Sequence, residues 1–246
     1  MLSVVVPALN EVANLRAAVE AVLAAAHDCL PGGLEIIIVN DGSTDGTESV
    51  ADSLAREHHC VTVIHHKTPL GVGCAFREGL QRANGDRFTI FAGDNNVSQQ
   101  LIQDLFRAQG TADVVVAYIM NTEERGRLRH VVSTLFSMTY VLFFGIHLKY
   151  INGNTIWPTS MLRLCDIRAR GYSIMAETNV KMLRRGVTFM EIPGEMNAAA
   201  TKSQAIKIKN LIEVFCTFFR LVWQVHFSQK AAYSQPARRI GHLATA

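Results

Sequence analysis

The sequence predicts an α/β fold, a mostly parallel sheet with helices on both faces, and three observations carry that prediction. Short β-branched runs alternate with helix-patterned segments through the first half of the chain; the runs are apolar almost throughout; and three of them end in clusters rich in Asn, Asp and Gly. Strands buried on both faces read as continuous apolar runs, and the intervening helices supply the crossovers that parallel pairing requires. A chain of 246 residues can bury a substantial core, about one such domain with some extra.

The elements follow in order. "SVVVP" (3–7) leads to the helical pattern "NEVANLRAAVEAVLAAA" (10–26), and "LEIIIV" (34–39) to "TDGTESVADSLARE" (44–57). "VTVIH" (61–65) then precedes "GCAFREGLQRA" (73–83), "RFTIF" (87–91) precedes "SQQLIQDLFRAQ" (98–109), and "DVVVA" (113–117) closes the series. In parallel sheets ligands sit at the carboxyl ends of the strands. Asn10 with Glu11, Asp41 to Asp45, and Gly93 to Asn96 therefore share one rim.

The turn "VNDGSTDGT" (39–47) has two readings at this stage. Gly42 permits a tight turn and Ser43 or Thr44 can cap the next helix, so the turn is either a cap alone or part of a site. Three polar strand ends on one rim favour a site. Gly71, Gly73 and Gly79 in "GVGCAFREG" do not have the GxGxxG spacing of a phosphate loop, and a helix with a small-residue face is the better reading.

Charged residues are 18% of the chain and hydrophobic ones 49%, which brings a membrane surface into consideration. The net charge of +3 hides a gradient. Residues 1–60 hold nine acids and two bases, whereas residues 181–246 hold three acids and ten bases. A basic end suits phosphates or anionic lipid, or is simply a solvated face. The five cysteines lie far apart with no CxxC or nearby His-x-x-x-His pattern, as expected of reduced thiols in the cytoplasm. An apolar β-type run directly after Met1 leads us to expect no signal peptide, and no apolar stretch reaches the roughly 20 residues of a spanning helix.

"SVVVPALNE", "EIIIVNDGSTDGT", "GVGCAFREGLQRANGDRFTIFAGDN" and "YSIMAETNVKMLRRGVTFMEIP", together and in this order, resemble the family 2 glycosyltransferases of the Rossmann-like GT-A fold. The closest flavour is the polyprenyl-phosphate sugar transferases, such as the dolichol-phosphate mannosyltransferases. The resemblance spans roughly residues 2–227. It implies that Pro7, Glu11 and Asp41 hold the base and ribose of a nucleotide-diphosphate sugar of UDP or GDP type. Asn10 and Gly42 join them on the rim. It also implies a divalent cation, Mg²⁺ or Mn²⁺, on an Asp-x-Asp motif after the fourth strand.

That motif here reads Ala92-Gly93-Asp94, so one expected carboxylate is missing. Asp94 and the amide oxygen of Asn96, with water and substrate phosphate, can still hold a hard cation. Alternatively, both residues only cap the helix near Ser98.

On the acceptor side, "NTEERGRLRH" (121–130) presents Arg125, Arg127 and Arg129 in alternation. Guanidinium groups suit bidentate phosphate contacts, although such a loop is also a solvated charge cluster. In the resembled enzymes an arginine four residues before a serine meets the acceptor phosphate, and Arg129 with Ser133 matches; Lys202 is a further candidate. "YINGNTIWP" (150–158) reads as a loop. Glu177 stands where the family often carries an acid on a helix, either a general base for a hydroxyl acceptor or a supporting group when the acceptor is a phosphate.

Residues 131–146 and 207–227 are amphipathic, with polar stripes of His130, Ser133, Thr134 and Ser137, and of Asn210, Glu213, Thr217, Arg220 and Gln224. They either cover the sheet and each other or seat the protein on a bilayer, with Phe218 and Trp223 toward lipid and Lys202, Lys207, Lys209 and Arg220 near headgroups. The expected organisation is a GT-A domain over 1–203, an amphipathic helix over 204–227 and a disordered polar tail over 228–246.

The expected function is inverting transfer of a sugar from a nucleotide diphosphate to a lipid phosphate, by a protein held peripherally at the cytoplasmic membrane face, with no nucleic-acid partner. Asp94 and Glu177 are the candidate catalytic residues. The rivals are transfer to a saccharide or glycolipid hydroxyl, and a noncatalytic nucleotide-binding scaffold motivated by Ala92.

Overall fold

The computed structural model describes residues 1–120, 137–171, 173–197 and 208–241. Among them one sheet contains β1 (Leu2–Ala8), β2 (Leu34–Asn40), β3 (Val61–His65), β4 (Arg87–Ile90), β5 (Val114–Ile119), β6 (Thr155–Pro158), β7 (Thr188–Gly194) and β8 (Arg238–Arg239), in the order β3-β2-β1-β4-β6-β5-β7-β8. All pairings are parallel except those of β6, which runs antiparallel to both β4 and β5. The helices are α1 (Leu15–Cys29), α2 (Thr47–Glu57), α3 (Val72–Arg82), α4 (Gln99–Ala108), α5 (137–144), α6 (Thr159–Arg163), α7 (Ile174–Leu183) and α8 (Ile208–Trp223).

The apolar runs divide by alternate residues between two cores. Val4, Val6, Ile36 and Ile38 pack with Leu15 and Val19 of α1, Leu54 of α2 and Leu101 and Leu105 of α4. Val5, Ile37 and Val39 belong to the opposite core, with Phe76 of α3, Val180 of α7 and Leu221 of α8. Since both faces are covered, the period of two is invisible in the hydropathy of these strands. The glycines of α3 serve close packing, as read from their spacing: a Cβ at Gly79 would run into the Val5 side chain, and one at Gly73 into the Ala169 carbonyl oxygen.

Three expectations change. Thr155–Pro158, read as loop, is the strand that joins the two halves of the sheet; it places Trp157 opposite Phe88 and fully buried, with its indole N–H donated to Asn179 Oδ1 at 3.0 Å. The tail is ordered from 228 to 241. A 3₁₀ turn, Lys230–Tyr233, buries Tyr233, β8 extends the sheet beside β7, and Arg239 pairs with the buried Glu191.

The third change concerns α8. Its polar stripe turns inward: Glu213 accepts from Gly171 N–H and the Ser173 hydroxyl, Thr217 and Gln224 are buried, and Arg220 lies 3.6 Å from Glu177 rather than pointing outward. Phe218 is likewise not outward but packed among Tyr140, Phe143 and Phe144, with ring centroids 5.2–5.8 Å away. The remaining apolar face, Ile212, Phe215, Phe219 and Trp223, is exposed, continuous in sequence with Phe227 of the π-helical turn Gln224–Ser228. Met138, Leu142 and Phe143 of α5 are exposed as well. No helix among the described residues is long and apolar enough to cross a membrane.

Candidate active site

The carboxyl ends of β1, β2 and β4 lie side by side because these strands are adjacent and parallel. The loops leaving β1 and β2 are zipped together. Asn10 N–H donates to Ser43 Oγ at 3.0 Å, Thr44 N–H to Asn10 Oδ1 at 2.9 Å, Glu11 N–H to Thr47 Oγ1 at 2.8 Å and Val12 N–H to Asp45 Oδ2 at 3.1 Å. Asn10 adopts φ 57°, a left-handed conformation that Asn tolerates better than most residues. Ser43 and Thr44, expected as caps of α2, are thus used for this cross-link. Asp45 takes over the start of that helix by accepting from Thr47 N–H and Oγ1 at 3.0 and 2.5 Å.

Asp41 directly follows β2 on the rim but is buried, and its oxygens face the loop between β3 and α3. Oδ1 accepts from Leu70 N–H at 2.7 Å and faces His66 Nδ1 at 2.7 Å, while Oδ2 accepts from Gly71 N–H at 2.8 Å. Gly42 is required beside it. Its φ is 71°, and a Cβ there would fall 2.7 Å from the Thr68 backbone. The imidazole of His66 is nearly sealed between Asp41 and Glu78, the latter 3.0 Å from Nε2. Burial lowers its pKa, but hydrogen bonds to the two carboxylates outweigh that and raise it above the usual histidine value.

The third strand end carries the candidate cation ligands. Gly93 N–H donates to Pro7 O at 3.0 Å, which sets Asp94 beside the β1 loop. Asn96 donates to Asp94 from its backbone at 3.3 Å and from Nδ2 at 3.0 Å, so its amide oxygen remains a lone-pair donor. Ser98 caps α4 through Leu101 N–H, which removes the reading of Asp94 and Asn96 as mere caps. Asn95 has φ 54°, and the amide of Asn197, beyond β7, clasps Asn95 O and Val97 O at 2.8 and 3.1 Å.

Electrostatically this rim is anionic. Asp94 is exposed, yet protein packed around its carboxyl raises its pKa, with the Asn96 hydrogen bonds opposing the rise. Glu11 is raised by desolvation, which its hydrogen bond from Asn14 opposes, and further by the charges of Asp94 and Asp45. The charges of Asp94 and Asp45 both act on Glu11, and among the described residues no cation is among the causes of its shift. Hard oxygen donors at Asp94 and Asn96 fit a cation such as Mg²⁺ or Mn²⁺, with fewer protein ligands because Ala92 offers none.

Glu177 is enclosed by protein rather than open to a substrate. It has no exposed surface; Oε2 accepts from Ala169 N–H at 2.6 Å and Arg168 N–H at 3.1 Å, and Oε1 pairs with the equally buried Lys181 at 2.7 Å. It clamps the loop before α7. That loop in turn supports α3, through Arg77 to Ala169 O at 2.7 Å and Gly73 N–H to Arg170 O at 2.9 Å. Arg125, Arg127, Arg129, Ser133 and Lys202 lie outside the described residues.

His66 and Asn197 were not among the residues read from sequence. His66 directly follows the third strand, so the rim rule reaches it. Asn197 carries no local signal, because its contacts are about a hundred residues away.

Comparison with known proteins places this geometry. The chain is 28% identical over 203 residues to undecaprenyl-phosphate mannosyltransferase of Micrococcus luteus, covering 77% of this chain and 80% of that protein. It is 28% identical over 204 residues to polyprenol monophosphomannose synthase of Mycolicibacterium smegmatis, covering 77% and 75%. A 32% match over 126 residues to glycosyltransferase GlyG of Streptococcus pneumoniae covers half of this chain and spans only 40% of that protein. Among solved structures, glucosyl-3-phosphoglycerate synthase of Mycobacterium tuberculosis, crystallised with Mn²⁺, UDP-glucose and phosphoglyceric acid, superposes with TM-score 0.66 at 19% identity over 90% of this chain and 79% of that one, a likeness of fold. The model of glycosyl transferase family 2 matches residues 3–170, which contain β1 to β6 and every rim residue from Pro7 to Asn96, and the chain belongs to that family, on a GT-A fold.

Proposed function

We propose that this protein transfers a sugar from a nucleotide-diphosphate donor to a lipid phosphate at a membrane surface, with inversion at the anomeric carbon. The observation that carries this reading is the orientation of α8. Glu213, Thr217 and Arg220 are engaged inside the protein, while Phe215, Phe219 and Trp223 are exposed, as are Met138, Leu142 and Phe143 of α5, which meets α8 through Phe143 and Phe218. An aromatic face of this kind fits the interfacial region of a bilayer, where a lipid acceptor must be met. Two relatives whose names specify polyprenyl-phosphate or polyprenol-linked chemistry support the same acceptor.

On the donor side, Glu11 and the exposed polar groups of the β1 and β2 loops receive the nucleoside, with Pro7 and Asn10 shaping the floor. Asp41 and Gly42 act one layer behind, by holding the 66–71 loop against the rim. Asp94 and Asn96 are the residues that would hold the divalent cation, Mg²⁺ or Mn²⁺. A cation held there would supply neutralisation of charge on the departing diphosphate.

Arg125, Arg127, Arg129, Ser133 and Lys202 are proposed, from sequence alone, to hold the acceptor phosphate. A phosphate is already an anion and attacks without a general base, which agrees with Glu177 being sealed away. A hydroxyl acceptor would need Asp94 to serve as base, a task that competes with cation binding.

Incubation with a panel of UDP- and GDP-sugars, Mn²⁺ and a membrane lipid extract tests the reading. Nucleoside diphosphate release that depends on the lipid fraction is expected. Release supported equally by a soluble saccharide in place of lipid would move the hydroxyl acceptor to first place, and no release with any donor would favour the scaffold.

A further inference from the structure

His66, Cys74 and Glu78 bring a nitrogen, a sulfur and a carboxylate oxygen within 4.8 Å of one another. Cys74 and Glu78 stand four residues apart on α3 and so project from the same side, and His66 reaches them from the loop after β3. His66 Nε2 is 3.0 Å from Glu78 Oε2, and Cys74 Sγ is 3.5 Å from Glu78 Oε1. The other ring nitrogen, Nδ1, is held by Asp41 at 2.7 Å. A metal-bound histidine ordinarily donates its second N–H to a carboxylate, which fixes the ring and strengthens it as a ligand.

This donor set differs from that of the Asp94 position. Imidazole, thiolate and carboxylate suit zinc, with three protein ligands and a water in the fourth place, whereas Mg²⁺ avoids sulfur. The His66 ring is nearly sealed while Cys74 and Glu78 keep partial exposure, so the cluster is sheltered without being closed.

We propose that His66 Nε2, Cys74 Sγ and the Glu78 carboxylate bind a zinc-type divalent cation, with Asp41 orienting His66 from behind. Binding releases the thiol proton of Cys74 and the proton on His66 Nε2, and leaves Nδ1–H on Asp41. The cation then ties α3 to the 66–71 loop. Through Asp41, its occupancy sets how firmly that loop is held against the donor rim. The site depends on neither the sugar donor nor the acceptor.

The test uses the 246-residue chain, treated with EDTA, desalted and titrated with Co²⁺, whose thiolate complexes absorb in the near ultraviolet. The expected result is a thiolate-to-metal band that saturates at a single equivalent, is displaced by Zn²⁺ but not Mg²⁺, and is lost in Cys74→Ser. All five cysteines are free, so a band that survives in Cys74→Ser belongs to another thiol and overturns the proposal, as does the absence of any band. A second measurement needs no variant. Alkylation of Cys74 in the wild type, followed by peptide mass spectrometry, is expected to be suppressed by Zn²⁺, and an unchanged alkylation rate overturns the proposal independently.

Discussion

Phe218 and Phe219 are consecutive in α8 and their rings meet edge to face at 5.7 Å, yet Phe218 is 8% exposed and Phe219 is 67% exposed. The helix therefore separates two energetic roles between neighbours. Phe218→Ser is expected to cost about 3–5 kcal/mol of stability, the range for removing a packed aromatic side chain. Phe219→Ser with Trp223→Ser should leave the melting temperature nearly unchanged and release the protein from anionic vesicles, since each large apolar side chain contributes about 1.5–3 kcal/mol on burial. Vesicle flotation and a melting curve on both variants check this. Undiminished flotation of the double variant would remove the α8 face from the account.

Asp41→Ala is expected to weaken donor binding and also to destabilise the protein. Two backbone donors, Leu70 and Gly71, lose their acceptor, and a buried donor left unsatisfied costs about 1–3 kcal/mol. Calorimetry with the preferred donor and a denaturant titration report the two effects separately. A stable variant that binds donor normally would remove Asp41 from both roles.

Asp94→Ala should abolish activity that depends on divalent cation, whereas Ala92→Asp should tighten Mn²⁺ binding by restoring a second carboxylate beside Asp94. EDTA should inactivate the wild type reversibly. Activity that persists in EDTA and in Asp94→Ala would mean that basic side chains alone neutralise the leaving group.

Glu177→Gln distinguishes a clamp from a base. As a clamp, the substitution strands the buried Lys181 and should cost about 3–5 kcal/mol, with kcat preserved at temperatures where the variant is folded. A large loss of kcat with an unchanged melting curve would instead give Glu177 a catalytic role and favour a hydroxyl acceptor.

Much of this fold is legible in the sequence. Five apolar runs became β1 to β5 because strands covered on both faces need no polar alternation, and their polar ends met on one rim because parallel neighbours end together. β6 was not legible. Its four residues follow an Asn-Gly loop and end in proline, and it exists only because β4 and β5 leave a gap that an antiparallel return fills.

The amphipathic pattern of α8 was plain, but periodicity does not say which face is inside. Here Glu213, Thr217 and Gln224 are inside because Gly171, Ser173 and Asp166 supply polar partners. The rim position of Asp41 is legible, but its burial is not, because the loop that covers it comes from the next crossover. The sealed state of Glu177 did have a local signal, since Lys181 stands four residues on, at the spacing that pairs charges on a helix.

The most direct test of the central claim compares polyprenyl phosphate with the matching polyprenol, each in vesicles with the radiolabelled sugar nucleotide that the donor panel selects. The account predicts that label enters the organic phase only with the phosphate, together with an equal amount of free nucleoside diphosphate, as an acid-labile sugar phosphate of inverted anomeric configuration. Label on the polyprenol, or release of nucleoside diphosphate with no lipid-linked sugar, would contradict it.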